Sequence, residues 1–328
     1  MMDRSDVSGN LPVISFLPDL ESRMPRLFCT LTLALLLPSL LFAQQDKKSR
    51  FKPIPDKARE AIIEAVPKGA TAKPAKERRI LVFYRCNGFV HQSIPFANFA
   101  VQSLGDKTGA FEVDLADSYD VFTPENLAKY DCILLNNTTH LQFPEPSQLN
   151  AFLDFISKGK GLAGFHAASD NFGRHPEALA MVGGIFNGHP WGAGGTWAFK
   201  LDDPGHKLNQ VFGGKGFWHQ DEIYQYKPES FVGPETLRVL VSLDMSKNAV
   251  SDRIKDGPRE VPVSWVRKAG DGRVFYTNFG HRPETFQNPV ILQHMLDGIQ
   301  YAIGDLEIDD APTAKSPAGA VALAPEKK

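Results

Sequence analysis

The chain predicts an α/β fold: a flavodoxin-like, doubly wound and mainly parallel sheet, with an additional antiparallel β region in the second half. Three observations carry this. In the first half, short apolar runs alternate with amphipathic segments, the pattern of parallel strands joined by helical crossovers. In the second half, short segments of alternating apolar and polar residues lie between glycine-rich turns, which suits antiparallel strands. Four strand-end loops each carry a histidine, namely His91, His140, His166 and His281. They fall at the edge where open α/β sheets bind ligands.

The N-terminal region is expected to be a targeting segment. Leu31 to Phe42 is an apolar run, preceded by Arg26 and followed by a small-residue cleavage site at Leu41-Phe42-Ala43. That is the layout of a secretory signal peptide, and the run is too short to span a bilayer comfortably. Residues 1–43 are therefore expected to be removed, with Met24 as an alternative start. The protein would be exported, periplasmic or extracellular, with no stable membrane span. Residues 44–76 are rich in Lys, Pro and Ala and read as a linker with one short helix over Pro55 to Val66. Residues 77–305 read as the domain. The last stretch, 306–328, has no apolar period and is expected to be disordered.

Within the domain, strand 80–84 leads to a helix near 94–105 and then to strand 111–115. Thr123 caps a short helix opened by Pro124. Strand 132–136 precedes a helix near 145–157, begun by Pro144 or Pro146, and strand 161–165 follows. Trp197 to Leu201, Phe217 to Tyr226, Leu237 to Leu243 and Val261 to Arg267 read as half-exposed antiparallel strands. Val274 to Thr277 returns to a buried strand. Residues 288–303 form a closing helix, with Ile291, Leu292, Met295, Leu296, Ile299 and Ala302 on its apolar face.

Composition excludes some functions. With 36 basic and 38 acidic residues the chain carries a formal charge of −2, so there is no basic field for nucleic acid. It has three cysteines and no C-x-x-C. Cys86 and Cys132 read as buried thiols, not as a disulfide framework or a cysteine zinc site.

Four segments carry the chemistry. Gly164-Phe165-His166-Ala167-Ala168-Ser169 has the strand-to-helix turn of a nucleophile elbow, with His166 at the tip, suited to metal binding or proton transfer. Ser169 is a nucleophile only if a base contacts it. Phe217 to Tyr224 places Asp221 and Glu222 in succession; Glu222 beside Tyr224 is expected to face inward as an acid/base group or metal ligand, while Asp221 takes the opposite face. In Tyr276 to Arg282, Gly280 lets the backbone turn so that His281 points across the strand ends, and Arg282 offers a donor to a sugar hydroxyl or anion. Gly183 to Trp191 brings His189 and Trp191, an aromatic suited to stacking on a sugar. His175, His206 and His294 read as structural.

These segments resemble the ThuA-like family, named for trehalose utilisation. The matching residues are Ile80 to Tyr84, Gly88-Phe89-Val90-His91, Gly164 to Ser169, Gly183-Gly184 with Phe186 and His189-Pro190, Asp221 to Tyr224, and Arg273 to Tyr276 with Gly280-His281. The resemblance covers about 77–305. It implies a variant of the class I glutamine amidotransferase fold and a link to sugar catabolism, including oxidised disaccharides. The cysteine nucleophile of that fold would stand near His166, and none is there, so amidotransferase activity is not expected.

The resulting expectation is an exported carbohydrate-processing protein acting on a glycoside, disaccharide or oxidised (keto) sugar. His166, Glu222 and His281 would be catalytic groups or ligands of a divalent metal such as zinc. His91, Asn137, Ser169, His189, Trp191, Tyr224 and Arg282 would bind substrate. Adjacent carboxylates in a strand face opposite ways, so Asp221 and Glu222 cannot form an ordinary glycosidase pair. The alternative is a non-catalytic sugar-binding module, which would not need His166, Glu222 and His281 to meet.

Overall fold

A computed structural model describes residues 50–228, 230, 235–249, 254, 260–315 and 320–327. The expected signal peptide, its cleavage site and the alternative start lie outside the described residues. No helix among the described residues is long and apolar enough to cross a membrane.

Among the described residues nine strands form one mixed sheet. They are β1 (Arg79–Phe83), β2 (Glu112–Ala116), β3 (Cys132–Asn136), β4 (Gly161–Phe165), β5 (Thr196–Leu201), β6 (Phe217–Gln220), β7 (Arg238–Leu243), β8 (Pro262–Ala269) and β9 (Gly272–Thr277). Their order is β2-β1-β3-β4-β9-β8-β7-β5-β6. The pairs from β2 through β9 are parallel, and those from β9 through β6 are antiparallel. The carboxyl ends of β1, β3, β4 and β9 therefore open on one edge.

Six helices among the described residues flank the sheet: α1 (Asp56–Ala65), α2 (Ile94–Thr108), α3 (Pro124–Leu127), α4 (Pro146–Ser157), α5 (Pro176–Val182) and α6 (Pro289–Ala302). Strand residues alternate between two cores, as the pleat requires. Ile80 and Val82 pack with α1, α2 and α6; Leu81 and Phe83 pack with α3, α4 and α5. The local signals act as expected at helix starts. Thr123 accepts a hydrogen bond from the Asn126 backbone at 3.2 Å, and Pro146 occupies the first turn of α4 behind Glu145. All six residues expected on the apolar face of α6 are buried.

Three expectations need correction. β7 is buried at every position and β8 from Pro262 to Val266, not half-exposed, because both lie inside the sheet order with both faces covered. The strand expected over Phe217 to Tyr226 stops at Gln220, and Asp221 to Tyr226 runs on as an irregular segment with isolated bridges from Ile223 to Trp191 and from Tyr226 to Phe186. The two flanks, expected to be linker and disordered tail, are docked where described. Thr71 and Ala72 donate backbone hydrogen bonds to Gln300 Oε1 at 2.9 and 3.1 Å, and Gln300 Nε2 donates to the Ala72 carbonyl at 2.6 Å. At the other end, Ala322 exchanges both backbone bonds with Leu201, and Trp218 donates to the Pro325 carbonyl at 2.8 Å. In each case polar groups of the folded domain need partners, and apparently featureless chain supplies them through its backbone. That demand leaves no trace in the periodicity of the flanks.

Candidate functional site

The site is built where four chain segments meet above the sheet edge. His91 lies on the loop after β1, just ahead of Ser93, whose hydroxyl donates to the Gly280 carbonyl at 2.8 Å. His166 is the first residue after β4. Its φ of +45° is left-handed, a conformation that costs a non-glycine residue about 1 kcal/mol or more, and it turns the imidazole over the strand ends. His281 follows Gly280, whose φ of +126° suits only glycine. Glu222 comes from the far side of the molecule, on the irregular segment after β6. The donor atoms of His91, His166, Glu222 and His281 all lie within 4.8 Å of one another.

Proton counting defines the chemistry. His166 Nδ1 lies 2.8 Å from the Asn278 carbonyl oxygen. A carbonyl only accepts, so Nδ1 carries the proton, and in the neutral ring Nε2 presents a lone pair. That lone pair faces Glu222 Oε2 at 3.5 Å and His281 Nδ1 at 3.2 Å. His281 Nδ1 is also 3.1 Å from Glu222 Oε2, and one proton there cannot serve both acceptors. Burial alone would raise the Glu222 pKa, but where His166 and His281 are protonated their hydrogen bonds and charge outweigh it and hold the carboxyl well below the usual carboxylate range. Burial pushes the His91 imidazole down to about 2, with His166 and His281 adding to the effect. Its buried Nδ1 has no hydrogen-bond partner among the described residues. Glu222 is thus an anion and His91 a neutral donor.

Two residues that the sequence reading did not assign hold this cluster. Asp221 is fully buried, whereas a strand alternation would have turned it away from Glu222. It accepts from the backbone N–H groups of Gly280, Arg282 and Glu222 at 2.8, 3.1 and 2.9 Å, and from the Thr285 hydroxyl at 2.8 Å. It thereby ties the Glu222 segment to the His281 loop. Asn278 takes the His166 proton on its carbonyl, and its side-chain oxygen accepts from the Tyr224 N–H at 2.9 Å. Beneath them the Tyr276 hydroxyl donates to the His166 carbonyl at 2.6 Å and supports the strained turn.

The other expected residues divide. Tyr224 packs its ring on His166 with centroids 4.3 Å apart, a buried wall instead of a free ligand group. His189 is 51% exposed and reaches Glu222 Oε1 at 3.3 Å from the solvent side. Arg282 is half-buried at the rim, donating to the Ala193 carbonyl at 3.2 Å. Trp191 is only 1% exposed and bridged to Ile223, so it has no ring face to offer a sugar. Ser169 is buried against the Tyr276 hydroxyl at 3.0 Å, without a base. Asn137 is buried and donates to the Gly280 carbonyl at 3.2 Å, bracing the loop without lining the cleft. His140, one of the four strand-end histidines, is exposed and pairs with Asp170 at 3.4 Å; its loop turns outward. His206 and His294 are structural, bonded to the carbonyls of Asp309 and Leu208. Cys86 and Cys132 are free, buried thiols, and the elbow position belongs to His166.

A cleft of about 320 Å³ reaches two of the four donors, His91 and His281, and is lined also by Phe89, Gln92, Arg282 and Glu284 among others.

The trehalose-utilisation family model, ThuA, matches residues 79–302, the whole span from β1 through α6. The chain belongs to the ThuA family. Two solved structures share the fold. A ThuA-like protein from Bacteroides uniformis is 21% identical, with a TM-score of 0.57 over 75% of this chain and 100% of its own. A ThuA-like protein from Parabacteroides merdae is 17% identical, with a TM-score of 0.51 over 75% of this chain and 98% of its own. No curated protein sequence matches the chain. Membership of the ThuA family associates the chain with sugar utilisation.

Proposed function

We propose that this ThuA protein processes a glycoside, disaccharide or oxidised (keto) sugar at a divalent-cation centre held by His91, His166, Glu222 and His281. The observation that carries the reading is the convergence of four nitrogen and oxygen donors within 4.8 Å. His91 adds a buried Nδ1 that no other described group satisfies. Three imidazoles and a carboxylate suit zinc or another first-row divalent ion. When bound, such an ion polarises a carbonyl or hydroxyl oxygen as a Lewis acid.

The protein's own groups divide the remaining work. The Asn278 carbonyl fixes the His166 tautomer so that Nε2 faces inward, the usual outer-shell arrangement for a ligating histidine. Asp221 fixes the spacing of Glu222 and His281. His189, exposed and 3.3 Å from Glu222, is placed to pass protons between the cluster and solvent. A non-catalytic sugar-binding module would not require these groups to meet, and their convergence favours chemistry.

Elemental analysis after mild purification tests the centre. About one divalent ion per chain is expected in the wild type, and His166→Ala should lose both ion and turnover. His166 is fully buried, so the variant should also be less stable, and its folding is checked by circular dichroism. A folded His166→Ala protein with full turnover would sink the reading.

A further inference from the structure

Phe89 is 66% exposed, the most exposed large apolar side chain among the described residues. Single exposed hydrophobes are ordinary; this one is set apart by its position and by how its backbone is held. It lines the cleft that His91 and His281 also line, and its ring meets the His91 ring edge-on at 4.8 Å. The loop that presents it is pinned. The Thr139 carbonyl accepts from the Asn87 and Gly88 N–H groups at 2.9 and 3.4 Å, and the Thr139 hydroxyl donates to the Phe89 carbonyl at 2.8 Å. An aromatic ring therefore stands in solvent on a fixed backbone, beside one of the candidate donors.

Directed hydrogen-bonding groups line the same cleft. Arg282 is oriented by its bond to the Ala193 carbonyl and by Glu284, whose carboxylate lies 3.1 Å from Nη2. Gln92 is exposed on the His91 loop. An apolar ring face beside a guanidinium, a carboxylate and an amide matches the two-sided chemistry of a pyranose, which has an apolar face of C–H groups and a rim of hydroxyls.

We propose that Phe89, with Arg282 and Glu284, forms a subsite for a second sugar ring, so that the substrate is at least a disaccharide. One ring would sit at the His91–His166–Glu222–His281 cluster and the next against Phe89. This assigns to Phe89 the stacking role that the buried Trp191 cannot fill. The inference rests on the proposed sugar-processing function and extends it to substrate length.

Calorimetric titration with glucose, maltose and trehalose tests it on the full chain, comparing wild type, Phe89→Ala and Phe89→Trp. The wild type should bind a disaccharide about tenfold or more tightly than glucose, since covering one aromatic ring is enough for that ratio. Phe89→Ala should bring the disaccharide close to glucose while leaving glucose affinity and ion content unchanged. Phe89→Trp should keep the disaccharide preference, and its indole fluorescence should shift with maltose or trehalose and not with glucose. An unchanged disaccharide-to-glucose ratio in Phe89→Ala overturns the subsite alone. So does light scattering that shows a dimer in the wild type and its loss in Phe89→Ala, which would make Phe89 a contact between copies. Failure of the wild type to bind any of the three sugars overturns the subsite and the sugar-processing reading together. An ion-free wild type that keeps the Phe89-dependent preference removes the cation centre and leaves the subsite standing.

Discussion

Asp221 shows how much of the site depends on a residue that is fully buried behind it. A carboxylate only accepts, and here both oxygens are used twice: Oδ1 by the N–H groups of Glu222 and Arg282, Oδ2 by Gly280 N–H and the Thr285 hydroxyl. Asp221→Asn keeps the shape but turns one oxygen into a donor facing two donors. The expected cost is about 2–4 kcal/mol of stability, from buried groups left unpaired. The His281 loop should loosen against Glu222, and ion affinity should fall by about 10–100-fold, the usual effect of losing an outer-shell partner. Ion titration alongside denaturant unfolding separates the two effects. An Asn variant that loses stability and keeps ion affinity would make Asp221 a structural residue only.

The same residue marks a limit of sequence reading. Asp221 and Glu222 stood out because two acidic residues in an apolar stretch need a reason. Assigning them to opposite faces depended on the strand continuing, and it ends at Gln220. His166 was legible because its local pattern, a buried run ending in a turn, specifies position without long-range information. Trp191 was misread because a glycine-rich loop gives no indication of which side chains fold inward.

At the scale of elements, α6 joins the core to the N-terminal flank. Gly298 faces Phe275 across the α6–β9 contact, where an added Cβ would fall 2.4 Å from three ring atoms. Helix propensity favours alanine over glycine by about 1 kcal/mol, but overpacking a full core costs roughly 1–3 kcal/mol, and here packing wins. Gly298→Ala should therefore lower the midpoint of denaturant unfolding, and an increase would show that the helix can shift to make room. On the same helix the buried Asp297 accepts from the Thr71 hydroxyl and from Gln293. Burial raises its pKa to about 6 despite those two bonds. A carboxyl raised on folding favours the folded state while protonated. Its contribution is complete below the unfolded pKa of about 3.9 and is lost as pH rises through about 6. Asp297→Asn keeps an acceptor and carries no charge, so its stability relative to wild type should increase from pH 4 to pH 7.5, by an amount on the order of 2 kcal/mol. A difference independent of pH would show that Asp297 titrates normally. The docking of Thr71 onto this helix could not be read from a Lys/Pro/Ala-rich flank, because it rests on backbone N–H groups and a single hydroxyl, which leave no apolar period.

At the scale of the whole molecule, the sheet was legible and the site's closure was not. The strands announced themselves by apolar runs or alternation, although β7 reads as more exposed and β6 as longer than they are, and the change from parallel to antiparallel followed from the change in periodicity. The cluster, by contrast, needs the segment after β6, at one end of the sheet order, to return over the ends of β4 and β9. That return is a property of the tertiary fold, and a motif carries only its residues. It also makes the centre a clamp across the molecule: one ion would join chain segments separated by as many as 190 positions, His91 to His281. An ion that binds only the folded chain stabilises it by about 2.7 kcal/mol at a hundredfold excess over its Kd. For a domain of this size that corresponds to a rise of roughly 5–10 °C in Tm. Calorimetry of chelator-treated protein with and without added zinc should show the rise in wild type and in Phe89→Ala, and its absence in His166→Ala. The same rise in all three proteins would place the ion elsewhere on the chain.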